Sequence, residues 1–363
     1  MEDYLTVPLI DCHIHMRTIA SIINQANVME ACNLKAINVA SVPTHGGLNI
    51  NQNVLGALFK ALYPDRVYWF GGLHHEPPAV DAKRPDFAGQ LQRVHRMGCD
   101  GIKFIEGKPT VYKLLQTPLN DPLYDEFYAA MSADQIPLLF HVGDPSKSWD
   151  PERVSKWIRQ RGWFYGDGTF PAREELYAQI DDILERFENL PVIFAHFYFM
   201  EDDIERAEAF LNRWPKVSFD LTPGWGMYGC FTRNPSAWRE FFIRHQDQIL
   251  VGTDNSGGKM APNFEKVMIA KFRFARIKAF LGTTEKVLHE DGHFFQGIGL
   301  PKEVLEKLYH RNFQRYAGDK PRSVNLPLVI ERCSELISLA RAGDADDETM
   351  ADLEAILTRL KEL

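Results

Sequence analysis

The chain has 363 residues, 45% of them hydrophobic and 25% charged, an ordinary globular balance that excludes a fibrous or low-complexity chain. Its formal net charge is -8, with no basic run and no ladder of aromatics beside arginines, so neither nucleic acid nor an anionic membrane is an expected partner. No apolar run approaches the ~20 residues needed to cross a bilayer.

In chain order, short apolar runs alternate with helical patterns. Residues 5–10 read as a first strand and 18–32 as a helix of mixed polarity. Residues 35–42 form a second apolar run, closed by Pro43, and 55–63 a helix stopped by Pro64. Strand-like runs follow at 67–73, 101–105, 136–142, 191–196, 217–221 and 248–252. Helical patterns at 87–97, 119–134, 172–187, 202–214 and 237–245 separate them, and 264–281 and 302–309 come after the last. Eight such alternations predict repeated βα units and a parallel sheet. The expected fold is a closed (β/α)₈ barrel with its site at the C-terminal ends of the strands. A doubly wound sheet is the competing α/β solution, but no Gly-rich turn follows the first strand. Residues 1–322 are assigned to the barrel and 323–363 to a helical extension packed on it. In that extension Met350, Leu353, Leu357 and Leu360 recur at helical spacing.

Chemistry enters at Asp11-Cys12-His13-Ile14-His15. A regular strand would turn Asp11, His13 and His15 to one side. Two imidazoles at i and i+2 can grip one divalent ion, with zinc the natural guest. His141, His196 and Asp254 each stand where an apolar run meets its following loop. In a barrel all such ends converge on one face, so these residues can meet although far apart in sequence. The five cysteines, Cys12, Cys32, Cys99, Cys230 and Cys333, are scattered. Neither a thiolate zinc site nor a disulfide framework is expected, and the reading is a reducing, cytoplasmic location.

The strand-one segment, the later strand-end histidines and Gly252-Thr253-Asp254 together resemble the amidohydrolase superfamily, most closely its amidohydrolase-related branch. The resemblance spans roughly residues 5–320. It implies that His13, His15 and Asp254 bind a metal, that His141 completes the set in one-metal members, and that His196 contacts substrate or water. In two-metal members His141 and His196 would bind the second ion, bridged by a carboxylated lysine at the ordinal of Lys103. The branch is mostly mononuclear, so one divalent ion is expected, zinc first, with manganese or iron as alternatives. Asp254 would be both ligand and proton shuttle, and His196 would polarise a carbonyl; these two are the expected catalytic residues. Asp11 is read as holding a histidine or an ordered water. The branch holds hydrolases, lactonases and decarboxylases. Many of its decarboxylases resemble this pattern with Glu where Asp11 stands.

Residues 143–171 are the largest elaboration of the expected active face. Trp149, Trp163 and, after strand seven, Trp225 are candidate stacking surfaces for a planar ligand, or else anchors of their own loops. Arg17 and Lys103 are candidate clamps for a substrate anion, with Lys108 and Arg233 weaker ones. His45, His74 and His75 could line the mouth. The expected function is a metal-dependent hydrolase in which an activated water attacks an amide, lactone or ester carbonyl. The alternative is a metal-dependent, non-oxidative decarboxylase of a small aromatic or unsaturated acid. A small molecule is the expected partner, and assembly into a homo-oligomer is left open.

Overall fold

The computed structural model describes residues 3–43, 50–75, 85–223, 225–257, 264–288, 292–343 and 345–363. Eight strands pair in sequential order, every pair parallel: β1 (Ile10–Ile14), β2 (Ala36–Ala40), β3 (Val67–Gly71), β4 (Gly101–Gly107), β5 (Leu138–Val142), β6 (Val192–Phe194), β7 (Val217–Asp220) and β8 (Ile249–Leu250). A helix after each strand buries its apolar stripe on the sheet and carries the chain back to the start of the next. The ring closes where β1 meets the chain leaving β8. Cys12 N–H donates to Val251 O (3.1 Å), Asp254 N–H to His13 O (2.8 Å) and His15 N–H to Asn255 O (2.8 Å). Gly252 permits this approach, because a Cβ there would lie 2.6 Å from Thr222 Cγ2 and 3.1 Å from the His13 nitrogen. The molecule is a (β/α)₈ barrel.

Side chains alternate between two cores, as the period of a strand requires. Ala36, Ala40, Tyr68, Phe70, Leu139, Ile193 and Leu250 fill the barrel. Ile37, Val39, Val67, Trp69, Leu138 and Phe140 pack under the helices. Phe313 and Ala317 of the helix Asn312–Ala317 join the inner core, with Phe313 against Tyr68 and Phe70. Asn312 Nδ2 donates to Ile249 O at the start of β8 (2.8 Å), so this helix plugs the N-terminal end. The C-terminal end is left for the site.

Strand β1 departs from the regular strand expected. It begins at Ile10, and Asp3–Thr6 is one turn of helix. The register moves from Asp11↔Ile37 to Ile14↔Val39, three residues against two, which is a β-bulge. Ile10 and Cys12 face the barrel interior, whereas Leu9 and Ile14 face the helices. The expectation that Asp11 shares a face with both histidines therefore fails. The bulge reverses the alternation between Asp11 and His15.

The C-terminal helices Leu326–Ala342 and Asp347–Lys361 bury Cys333, Leu336, Leu353, Ile356 and Leu360. Asp352 accepts from Ile19 N–H (2.7 Å) and from Asn51 Nδ2 (2.5 Å), tying this extension to the loop after β1. A hairpin of Lys286–Leu288 with Phe294–Gln296 was not anticipated. Among the described residues no helix is long and apolar enough to cross a membrane.

Candidate metal centre

Strands β1 and β8 are neighbours in the closed ring, and their ends bring three donors together. His13 Nε2 and His15 Nε2 lie 3.1 Å apart. Asp254 Oδ1 lies 3.3 Å from His15 Nε2 and 4.0 Å from His13 Nε2. Among the described residues, these three donor atoms form the group within 4.8 Å of one another. His141 and His196 stand across the barrel on β5 and just after β6. His141 Nδ1 is 3.0 Å from His196 Nε2, and the His196 ring centroid is 5.6 Å from that of His13. His141 lies outside the group of three donors. Its Nδ1 faces His196, because β5 and β6 are adjacent strands.

Hydrogen-bond partners fix which nitrogen of each ring carries the proton. His13 Nδ1 faces the carboxylate Asp220 Oδ2 (2.9 Å), and His15 Nδ1 faces Ala40 O (2.6 Å). His141 Nε2 faces Gly143 O (3.1 Å), and His196 Nδ1 faces Thr222 O (3.0 Å). A carbonyl or carboxylate can only accept, so all four outward nitrogens are N–H donors. All four inward nitrogens then present lone pairs, in two pairs about 3 Å apart. Facing lone pairs repel unless a cation stands between them. Lys103 Nζ, 3.2 Å from His13 Nε2, donates into one of them and shows that this side of the ring takes a cation. Two neutral imidazoles and a carboxylate on one side of a pocket suit a divalent ion.

Electrostatics support neutral rings at His13, His141 and His196. Burial, and next the Lys103 ammonium, push His13 down to about 3, so it is neutral. Burial also lowers His141 and His196. Burial alone would raise Asp254, but the neighbouring imidazoles, His15 first and then His13 and His196, hold it well below the usual carboxylate range. Lys103, wholly buried on β4, is lowered to about 8 by desolvation.

Asp220, at the end of β7, is the functional residue that sequence reading passed over. It is fully buried, and it accepts from the His13 ring, from His196 N–H (2.8 Å), from Thr222 N–H (3.1 Å) and from Thr222 Oγ1 (2.6 Å). It had the same signal as Asp254, a carboxylate closing an apolar run, but was absorbed into the strand at 217–221. Asp11 is bound to backbone and to a hydroxyl, with no ring among its protein partners in the described residues. Its oxygens accept from Thr253 Oγ1, Thr253 N–H and His13 N–H, so it fixes the turn that carries Asp254.

Strand β6 ends at Phe194, two residues short of the expected end. His196, Phe197, Tyr198 and Phe199 have φ of 61°, 55°, 54° and 51°, a left-handed turn without glycine. Each such residue costs about 1–2 kcal/mol. The turn is held from outside: Tyr177 Oη donates to Tyr198 O (3.0 Å) and Arg173 Nη2 to Phe199 O (2.5 Å). Its result is to bring the Phe199 ring against both His141 and His196, with centroids 5.7 and 5.3 Å away.

Several of the expected substrate residues have partners of their own. Trp149 donates Nε1–H to Pro171 O (3.0 Å) and packs edge-on to Tyr165, which makes it an anchor of its own loop. Trp163 lies under Lys108 and against Trp157. Lys108 itself is bound to Asp144 at 3.2 Å. Arg17 is exposed, with its carbonyl held by Asn51 Nδ2 (3.0 Å). Trp225 opens the helix Trp225–Phe231, and its side chain lies outside the described residues, as does His45. His74 is buried, and His75 Nε2 is 2.6 Å from Glu106 Oε1.

Comparison with known proteins agrees with this fold. No curated protein sequence matches the chain. Among solved structures, an uncharacterised TIM-barrel protein of Bordetella bronchiseptica is 13% identical, with a TM-score of 0.53 over 86% of this chain and 99% of that one. A protein described as amidohydrolase II is 16% identical, with a TM-score of 0.54 over 85% and 99%. The apo IDCase of Metarhizium anisopliae is 12% identical, with a TM-score of 0.53 over 88% and 99%. At these identities the likeness speaks for the fold. The amidohydrolase family profile matches residues 10–315, the whole barrel from β1 to its plug, and the chain therefore belongs to the amidohydrolase family.

Proposed function

We propose that this protein is a hydrolase that uses one divalent ion to add water to the carbonyl carbon of a small lactone, amide or ester. The observation that carries it is the set of inward donors on His13, His15 and Asp254, with both ring N–H groups already bound on the outside. These three residues would hold the ion, zinc first and manganese or iron otherwise. When bound there, it supplies Lewis acidity and a nucleophile from water at neutral pH.

The chain's own residues have these parts. One Asp254 oxygen is a ligand, and the other takes the proton of the attacking water and returns it to the leaving group. His196 offers an acceptor nitrogen, so its part is to take up or hold a proton. The carbonyl-polarising role read from sequence would need that proton on Nε2, where the Thr222 carbonyl does not place it. His141 is its neutral partner on the same wall. Lys103, at the floor, is the donor for a substrate oxygen. Arg17, exposed beyond β1, draws anionic substrates to the mouth.

The test is turnover of a panel of lactones, amides and esters by metal-stripped protein and by protein loaded with zinc, manganese or iron(II), read with a pH indicator for lactones and esters and as released amine for amides. Metal-dependent turnover that falls at least 1,000-fold in Asp254→Asn is expected. Release of carbon dioxide from a carboxylic acid, with no hydrolysis anywhere in the panel, would overturn the reading.

A further inference from the structure

Asp220 touches both histidine pairs without being near enough to join the three-donor cluster. Its two oxygens are used differently. Oδ1 takes three donors: His196 N–H, Thr222 N–H and the Thr222 hydroxyl. Oδ2 takes one, the His13 Nδ1–H. The Thr222 hydroxyl proton is committed to Asp220, so Thr222 Oγ1, 3.0 Å from His196 Nδ1, can only accept there. Both Asp220 and Thr222 therefore demand a proton on the Nδ1 of their imidazoles. At His13 Nδ1 the other contact is the Thr222 hydroxyl, whereas at His196 Nδ1 the Thr222 carbonyl makes the same demand by itself.

We infer that Asp220 is the positioning residue that selects the metal-ready tautomer of His13. Neutral imidazole in water favours neither tautomer strongly. A ring with its proton on Nε2 would turn an N–H toward the ion and could not bind it. Three donors converge on Oδ1, so Asp220 is held as an acceptor by geometry. The arrangement also couples the halves of the site, since one carboxylate fixes the ring on β1 and the backbone that enters the left-handed turn after β6. This rests on the reading of His13 as a ligand, and its test separates the two.

Asp220→Asn is nearly isosteric, and its orientation is forced. Three donors converge on the Oδ1 position, so the amide oxygen must stay there and the amide nitrogen must take the Oδ2 position. That nitrogen can only donate, which drives the His13 proton from Nδ1 to Nε2. Nitrogen-15 NMR of ring-labelled, metal-free protein reads the tautomer directly, with His13→Gln to identify the signal. The wild type is expected to show His13 as Nδ1–H, and Asp220→Asn as Nε2–H with zinc affinity down roughly 100-fold. A competition titration against a chelator gives the affinity. If Asp220→Asn does not fold, the wild-type spectrum still decides, because an Nε2–H signal for His13 there overturns the inference. So does an unchanged tautomer in a folded Asp220→Asn. A wild type that is Nδ1–H but takes no zinc, manganese or iron would leave the inference standing and end the metal reading instead.

Discussion

Asp11 Oδ2 lies 2.5 Å from Thr253 Oγ1, and Asp11 Oδ1 accepts the Thr253 backbone N–H at 2.9 Å. This pair stitches the bulged end of β1 to the turn that presents Asp254. Burial pushes the Asp11 carboxyl up to about 7, a cost borne to make that stitch. Asp11→Ala should free the turn and weaken zinc binding roughly 10–100-fold, the usual range for a residue supporting a ligand. Asp11→Asn can still accept from the Thr253 N–H and donate to its hydroxyl, so a smaller loss is expected. Chelator competition on both variants checks the order. Equal affinities in wild type and Asp11→Ala would show that the turn holds itself.

Acid should destabilise the fold through His74, a buried imidazole just past the end of β3. Burial, and next the charge of Arg332, lower this imidazole from 6.5 to about 3. The unfolded chain then binds a proton that the folded chain refuses, so stability rises with pH between those values and is lost as pH falls below 6.5. At pH 5 the loss from this one group is about 2 kcal/mol. Urea unfolding of His74→Leu against wild type at pH 5 and pH 8 measures it. The variant should close the gap between the two pH values by about that amount, whatever its stability at pH 8.

A second stability prediction concerns a buried ion pair on the wall of β3 and β4. Lys60 Nζ is 2.5 Å from Asp100 Oδ2 and 2.6 Å from Gly98 O, and both side chains are wholly enclosed. Asp100 also accepts from Trp69 N–H and Arg322 N–H, so it ties the chain before the C-terminal helices to the barrel. Lys60→Met leaves a buried carboxylate without its cation and should cost about 3–5 kcal/mol. Removing both charges, as Lys60→Met with Asp100→Asn, should cost less than the single change. Denaturant midpoints of the two variants give the comparison.

Much of this was legible in the sequence because it depends on period and position alone. Apolar runs of strand length between helical stretches dictate a parallel sheet, and His13, His141, His196 and Asp254 each mark where such a run ends. What escaped depends on contacts between strands. The bulge that turns Asp11 away from His13 arises from the pairing of β1 with β2, which no spacing within β1 reveals. The left-handed turn at His196 contains no glycine to announce it; its cost is offset by Tyr177, Arg173 and Asp220, all remote in sequence. Trp149 reads equally well as a stacking surface or an anchor until Pro171 O is seen to accept its N–H.

Metal content puts the central claim most directly at risk. Stripped protein is loaded with zinc, passed over a desalting column and analysed by mass spectrometry, with circular dichroism to confirm folding. One ion per chain in the wild type is expected. In folded His13→Ala and Asp254→Ala, retention should fall below a tenth of that, while His141→Ala keeps most of it. Full retention in both His13→Ala and Asp254→Ala would mean that the ion lies elsewhere, and the reading of β1 and β8 as the two sides of a metal site would be wrong.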